Sequence, residues 1–389
     1  MISLKVVVEA LAQRKLDWPE MVVTDAVVDS RKAIPGAMFV AIPGDNVDGH
    51  DFIEDAFSRG ASFALVQKEV PHNYPILDLR SDVSSSWEEV IEPPLCLRVE
   101  NTLKALQEVA RFWREKLDVR VVGITGSVGK TTTKELIASV LKQRYRTLKN
   151  PGNLNNEIGL PLTMWRLSPG HDRAVLEIGF YVPGEIEFLC NLAKPAVGVI
   201  TNIGTVHAER AGTRELIAKG KAELVQALPP APEGRAILNY DDPLVRAMAE
   251  KSAAPCLFYG LDSKADLWAD DIEGLGLEGI RFRIHYQGEK IYMRIPLIGR
   301  HSVHTALRAA AVGIVEGLTW HEIVNGLRSG HTQLRLVAVR AKNGALFLDD
   351  TYNASPQSMM AALNLLDEME GRKIAVLGDS FSEGFIFDD

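Results

Sequence analysis

The chain has 389 residues, 46% of them hydrophobic and 24% charged, with a formal net charge of −8. That length accommodates two or three domains, each able to bury its own core, and the acidic balance without a basic stretch excludes a general binder of nucleic acid or anionic membrane. Three scattered cysteines, Cys96, Cys190 and Cys256, fit a reducing cytoplasm better than a disulfide framework, and no apolar run approaches membrane-spanning length.

The first stretch, MISLKVVVEALAQRKL, reads as a helix interrupted by charges, without a signal peptide's apolar core and cleavage site. Up to about Tyr74, short apolar runs alternate with turn signals, as in DSRKAIPGAMFVAIPGDNVDGHDF. The polar SDVSSSWEEVIEPP, which closes on Pro93-Pro94, is the expected linker. ENTLKALQEVARFWREKL follows as a helix, with Asn101 at the N-cap and Leu103, Leu106, Ala110, Trp113 and Leu117 along one face.

RVVGIT, AVLEIG, AVGVITNIG and RAILNYDD are then apolar strands separated by helical segments, which predicts a mainly parallel sheet covered by helices on both faces. From about His331, GALFLDD and KIAVLGD read as two further strands with SPQSMMAALNLLDEM as the helix between them. The expected class is α/β, in three parts: a mixed α/β N-terminal domain with linker over residues 1–95, a central P-loop parallel-sheet domain over 96–330, and an incomplete Rossmann-like domain over 331–389.

The densest chemical signal is VVGITGSVGKTTTKELIASVL, Val121 to Leu141. A short apolar strand runs into Gly126 and Gly129, which let the backbone curl, and Lys130-Thr131 opens a helix with Leu136, Ile137, Val140 and Leu141 on one face. Strand, glycine turn and helix make a P-loop, in which Gly126, Ser127, Gly129, Lys130, Thr131 and Thr132 surround phosphate oxygens with backbone N–H groups, one ammonium and a hydroxyl for Mg²⁺. The spacing departs from G-x-x-x-x-G-K-[ST], because Ile124 stands where the first glycine is expected and Gly123 lies one residue earlier.

Other strands deliver polar groups to their carboxyl ends, where open α/β sheets gather ligands. AVLEIG ends in Glu177; VGVITNIGTVHAE ends in Asn202 with His207 in the next loop; LFLDDTYNASP carries Asp349 and Asp350, then Tyr352 and Asn353. Singly these are caps or ordinary surface residues, but in step with a P-loop they point to Mg²⁺ and nucleotide contacts. ELIAKGKAELVQAL places Lys219, Lys221 and Glu223 on a helix whose ordinary reading is a solvated face.

Taken together these blocks resemble the Mur ligases, the ATP-dependent amide-forming enzymes of peptidoglycan synthesis. The similarity runs from DSRKAIPGAMFVAIPGDNVDGHDFIEDAFSRGA through GITGSVGKTTTKE, NPGNLNNEIGLPLT, LEIGFYVPGEI, ITNIGTVHAE, LNYDDPLV, LIGRHSVHTALRAAAVG and LDDTYNASPQSMMAAL to IAVLGD. The GNLNNEIGLPLT and DDTYNASPQSM blocks resemble the branch that adds D-alanyl-D-alanine to UDP-MurNAc-tripeptide, and no D-N-P-R motif of the diamino-acid-adding branch is present.

The resemblance implies that ATP energises a carboxylate as an acyl phosphate, which the dipeptide's amine then attacks. It implies two Mg²⁺ ions, the first held by Thr131 and Glu177 and the second served by His207, with a carbamate on Lys221; Lys219 is the alternative. It implies that Ser30 and Arg31 hold the UDP-sugar, that Asn153, Asn155, Asn156 and Thr163 line the substrate site, and that Arg335, Asp350 and Asn353 reach the nucleotide from the third domain. The partners implied are small molecules, UDP-MurNAc-tripeptide and D-Ala-D-Ala, met by a cytoplasmic monomer without nucleic acid or membrane insertion.

The pattern also breaks. Where the family usually has His-Asn-x-x-Asn, the chain reads His301-Ser302-Val303-His304-Thr305; Tyr181 replaces a small polar residue, and Leu334 replaces the glycine before Arg335. After IAVLGD the chain reads SFSEGFIFDD, where the family continues with more strands and helices, so a shortened third domain is expected. Two alternatives stand beside the ligase: a nucleotide- and UDP-sugar-binding remnant without catalysis, and a sister ligase of the diamino-acid-adding type.

Overall fold

A computed structural model describes residues 2–15, 17–44, 46–70, 74–80, 92–204, 213–329, 337–341, 344–349, 351, 356–369 and 371–378. The chain forms two compact units, one of Met1–Val119, Leu154–Asp172 and Asn191–Ala193, the other of Arg120–Asn153, Arg173–Cys190 and Lys194–Asp389.

The first unit holds a five-stranded, wholly parallel sheet. Its strands β1 (Ala26–Val27), β2 (Met38–Val40), β3 (Phe63–Val66), β4 (Ile76–Asp78) and β5 (Leu95–Arg98) lie in the order β1-β2-β3-β5-β4. A parallel strand covered on both faces needs apolar residues at every position, and Phe63-Ala64-Leu65-Val66 supplies four in a row, all but unexposed. The helices are α1 (Leu4–Ala12), α2 (Ile53–Ser58) and α3 (Thr102–Glu115). α3 starts as expected, with the Asn101 side chain accepting from the Lys104 N–H at 2.8 Å. Of the expected face, Leu106, Ala110, Trp113 and Leu117 are buried, with Ala105 and Val109 beside them, and Leu103 is half-buried. The Trp113 indole reaches the Leu167 carbonyl at 2.9 Å, the partner a buried tryptophan N–H requires.

The second unit is built on nine strands in the order β14-β13-β12-β11-β10-β9-β6-β8-β7. These are β6 (Arg120–Thr125), β7 (Thr147–Lys149), β8 (Arg173–Glu177), β9 (Val197–Ile200), β10 (Arg235–Asn239), β11 (Cys256–Gly260), β12 (Leu267–Gly274), β13 (Ile280–Tyr286) and β14 (Glu289–Ile295). β7 to β12 run parallel, and β6, β8, β9 and β10 are the four strands expected from the apolar runs. β12 to β14 add an antiparallel meander. Its middle strand alternates inward Ile280, Phe282 and Ile284 with outward Arg281 and Arg283, as a strand with one wet face does. Helix α4 (Lys130–Leu141) buries Leu136, Ile137, Val140 and Leu141 in this core, beside the helix Ser302–Val315.

Near the end, β15 (Val337–Arg340) pairs antiparallel with β16 (Leu346–Asp349), and a helix spans Pro356–Glu368, so the GALFLDD strand and the SPQSMMAALNLLDEM helix form as expected. KIAVLGD does not. Residues 371–378 carry no strand, and Ile374, Val376 and Leu377 are 66%, 92% and 61% exposed. The partner of β16 is thus β15 and not this segment: a strand exists only where a neighbour takes its backbone groups, and no described residue takes those of 371–378. Most of the expected linker, residues 81–91, lies outside the described residues. No described helix is long and apolar enough to cross a membrane. All three cysteines are free, and burial pushes the Cys96 thiol up to about 12.

Candidate functional site

The turn between β6 and α4 is shaped by what cannot fit there. Gly126 has φ +145°, and a Cβ on it would lie 1.8 Å from Thr201 Oγ1, 2.9 Å from Thr201 Cβ and 3.0 Å from the Thr201 nitrogen. Only a bare residue lets the end of β9 pass so closely. Gly126→Ala is therefore expected to cost about 1–3 kcal/mol, read as a fall in thermal midpoint. Adding Thr201→Ala should not restore it, since the Thr201 Cβ and backbone contacts remain.

The segment that follows β9 also braces the turn. The Ser127 N–H donates to the Asn202 carbonyl at 2.9 Å, and the Val128 N–H to Asn202 Oδ1 at 3.0 Å. Ser127 Oγ accepts from the Gly204 N–H at 2.8 Å, so the Ser127 N–H and hydroxyl are both engaged with the segment after β9. Gly129, φ +83°, is the N-cap of α4 and brings no side-chain acceptor. The N–H groups of Thr131 and Thr132, in the first helical turn, have no intrahelical acceptor and face the region where the helix dipole is positive. Lys130 reaches back across the loop, its Nζ 2.9 Å from the Gly126 carbonyl and 3.4 Å from that of Ser127.

Glu177, at the end of β8, registers beside Ile124 of β6 and so arrives at the same edge. It is 3% exposed. Thr131 Oγ1 donates to its Oε2 at 2.9 Å, and Lys134 Nζ lies 3.6 Å from the same oxygen while donating to the Gly152 carbonyl at 2.9 Å. Asn150 fixes the Glu177 backbone from both sides, accepting from its N–H at 2.9 Å and donating to its carbonyl at 3.1 Å. Lys134 and Asn150 were missed by sequence reasoning. The signal for Lys134 was a lysine between Thr133 and Leu136 on an otherwise inward-facing helix.

Lys221, on the helix Arg214–Gln226, is 1% exposed, whereas Lys219 is exposed. Its Nζ sits 4.6 Å from the centre of the Phe180 ring. The same ring packs on the helix at Gly220, where an added Cβ would meet it at 2.1 Å. Burial, with Lys130 as a second cation nearby, lowers the Lys221 pKa well below that of an ordinary lysine. No carboxylate of a described residue pairs with it.

The donor set suits the metal that the resemblance implies. Mg²⁺ keeps several waters and takes one or two carboxylates together with substrate phosphates. A hydroxyl and a carboxylate 2.9 Å apart beside a phosphate loop are such a pair. Among the described residues no group of three or more His, Cys, Asp or Glu gathers as an all-protein cage.

In the first unit, β1 runs into a 3-10 turn at Ser30–Lys32, N-capped by Asp29, which accepts from the Arg31 N–H at 3.1 Å. The Asp29 carboxylate also takes the Arg31 guanidinium through Nε and Nη2, both at 2.9 Å, which holds the Asp29 pKa below the usual carboxylate range. Ser30 and Arg31 line a cleft of about 690 Å³ with Phe39, Ile42, Val47 and Phe52. Asn156 Oδ1 accepts from the N–H of Gly159, the first residue of the helix Gly159–Trp165, at 2.9 Å, and Asn155 is half-buried beside it in sequence. Thr163 is buried with its hydroxyl turned back to the Gly159 carbonyl at 3.0 Å. Asn153 is exposed and belongs to the second unit. His207, Arg335, Asp350 and Asn353 lie outside the described residues.

Two family models match the chain: the Mur ligase family, catalytic domain, over residues 24–114, and the Mur ligase middle domain over residues 124–313. The UDP-N-acetylmuramoyl-tripeptide--D-alanyl-D-alanine ligase of Bacillus subtilis (strain 168) is 36% identical over 372 residues, which is 94% of this chain and 76% of that protein. Among solved structures, a crystal structure of MurF from Acinetobacter baumannii superposes with a TM-score of 0.82 at 30% identity, covering 97% of this chain and 79% of that one. The MurF ligase of Thermotoga maritima in complex with ADP gives 0.72 at 30% identity, covering 90% and 75%. With sequence and structure both similar over nearly its whole length to the MurF ligases named above, the chain belongs to the Mur ligase family.

Proposed function

We infer that this chain is an ATP-dependent ligase of the MurF type, which joins D-alanyl-D-alanine to UDP-MurNAc-tripeptide in the synthesis of peptidoglycan precursors. The observation that carries the reading is the convergence of Lys130, Thr131 and Glu177 on one glycine turn at the carboxyl edge of a parallel sheet, in a chain 36% identical to a ligase of that name.

The chemistry is two transfers. A carboxylate oxygen of the peptide attacks the γ-phosphorus of ATP, ADP leaves, and an acyl phosphate remains. The amine of the dipeptide then attacks the acyl carbon, inorganic phosphate departs and the nitrogen loses a proton. The protein's part is positioning and charge neutralisation. Lys130 and the first-turn amides of α4 stabilise charge on the β- and γ-phosphate oxygens. Asn150 and Lys134 keep the Glu177 carboxylate aimed at the loop.

Thr131 and Glu177 would hold one Mg²⁺, and His207 with a carbamate on Lys221 a second; these ions neutralise phosphate charge. A carbamate suits Lys221 because its formation requires a neutral amine, which burial favours. Ser30 and Arg31 hold the UDP-sugar in the cleft of the first unit, and Asn153, Asn155, Asn156 and Thr163 belong to the peptide-binding region. Arg335, Asp350 and Asn353 approach the nucleotide from residues 331–389, with 1–95 as the UDP-sugar domain and 96–330 as the ATP domain. The enzyme acts as a cytoplasmic monomer.

The test is phosphate release from ATP by the full chain. Release that requires UDP-MurNAc-tripeptide and D-Ala-D-Ala together, with the pentapeptide product seen by mass, is the expected result. ATP turnover indifferent to both substrates, or nucleotide binding with no amide formed, would overturn it.

A further inference from the structure

Arg308 lies in the helix Ser302–Val315, inside the run Ala306-Leu307-Arg308-Ala309-Ala310, whose other members are fully buried. It is itself 4% exposed. Two of its donors are used locally, Nε to the His304 carbonyl and Nη2 to Thr305 Oγ1, both at 3.0 Å. The remaining terminal nitrogen, Nη1, is buried and has no acceptor among the described residues. Among the described residues, burial of the guanidinium is offset by Tyr259, whose ring centre is 5.8 Å away, and by no carboxylate. A buried cation with no anion among the described residues is costly to keep, so the arrangement calls for an anionic acceptor.

The guanidinium has a direction. A Cβ placed on Gly129 would lie 3.7 Å from both Nη1 and Nη2, so this edge of Arg308 meets the phosphate loop one residue before Lys130, at a position with no side chain in the way. The neighbouring polar residues cannot take its place. Ser302 Oγ is spent on the Ile298 carbonyl at 2.8 Å, and Thr305 Oγ1 accepts from Arg308. These are the two positions where the family usually carries asparagine.

We propose that Arg308 is a nucleotide-binding residue of this chain, which donates Nη1–H to a phosphate oxygen of the nucleotide held at the Gly126–Thr131 loop, with Thr305 and the His304 carbonyl fixing the plane of the guanidinium. A planar fork held on two sides presents its third donor at little entropic cost, which a lysine there does not do. The proposal rests on the reading of the loop as a nucleotide site.

The experiment measures Mg·ADP and Mg·GDP binding to the full chain by calorimetry or competition, for the wild type and for Arg308→Met, Arg308→Lys and Lys130→Ala. Arg308→Met, folded by thermal melt, is expected to weaken ADP binding about 10- to 100-fold, as loss of a hydrogen bond to a charged group does, and to weaken GDP by the same factor. An ADP affinity within twofold of wild type would make Arg308 purely structural, and a loss confined to one of the two nucleotides would make it a reader of the base; either overturns the proposal. Should Arg308→Met fail to fold, Arg308→Lys decides, with at least threefold weaker ADP binding expected and unchanged binding overturning it. Lys130→Ala separates the two claims: if it loses ADP while Arg308→Met keeps it, the loop reading stands and the Arg308 proposal alone fails.

Discussion

Lys130→Ala is expected to lower ATP-driven ligation at least about 100-fold, the scale for removing one preorganised donor from a developing negative charge. The Lys130 ammonium lies 2.9 Å from the Gly126 carbonyl, at the loop where the proposed function puts the nucleotide phosphates. The folded state should survive, because the carbonyl hydrogen bonds the side chain makes at the loop are worth about 1 kcal/mol each. Single-turnover phosphate release, with a thermal melt beside it, makes the measurement. Activity within tenfold of wild type would remove the loop from the mechanism.

Lys221→Ala is the second large effect, and its signature is rescue. Carbamate formation on Lys221, amine plus CO₂ giving an N-carboxylate and a proton, would turn the buried amine into an oxygen donor able to bind Mg²⁺. The variant should lose nearly all activity and recover part of it in formate, acetate or propionate, small enough for the space the side chain vacates, whereas Lys221→Arg, always cationic, should stay inactive. Loss of wild-type activity as pH falls, relieved by added bicarbonate, belongs to the same account, since protonation consumes the amine that CO₂ needs. Failure of every carboxylate to rescue, together with no ¹³C-carbamate signal on the wild type, would sink it.

The stability sign follows as well. The unmodified Lys221 has a folded pKa well below 10.5, so below 10.5 the unfolded chain binds the extra proton and stability falls with falling pH until the folded pKa is passed. Lys221→Ala should therefore flatten the dependence of the thermal midpoint on pH.

Much of this molecule was legible in one dimension because its signals are local. RVVGIT, AVLEIG, AVGVITNIG and RAILNYDD became β6, β8, β9 and β10 because a strand buried on both faces has few alternatives to an unbroken apolar run. Asn101 capped α3 because a cap is settled within four residues. KIAVLGD misled for the opposite reason: its apolar run is strand-like, but pairing is a property of neighbours, and β16 took β15 instead.

At the candidate site, the phosphate turn and the carboxylate at the end of β8 could be read directly, since Gly-x-x-Gly-Lys-Thr and a strand-terminal Glu are short patterns. What Glu177 touches could not. Its contacts with Thr131, Lys134 and Asn150 join segments up to 46 residues apart, and only parallel pairing of β6 with β8 aligns them. Lys219 and Lys221 are two residues apart on one helix and indistinguishable by composition; helical rotation sends one to solvent and the other against Phe180.

By itself, then, the sequence determined the central parallel strands, the glycine turn and the family, because backbone sterics, burial periodicity and glycine's freedom act over a few residues. The tertiary structure alone decided which lysine is buried, which hydroxyl meets Glu177, and that Arg308 in an apolar helix turns its unpaired nitrogen toward Gly129. Those outcomes depend on desolvation and on distances of a few ångströms between strands and helices far apart in the chain, quantities that exist only once the sheet has formed.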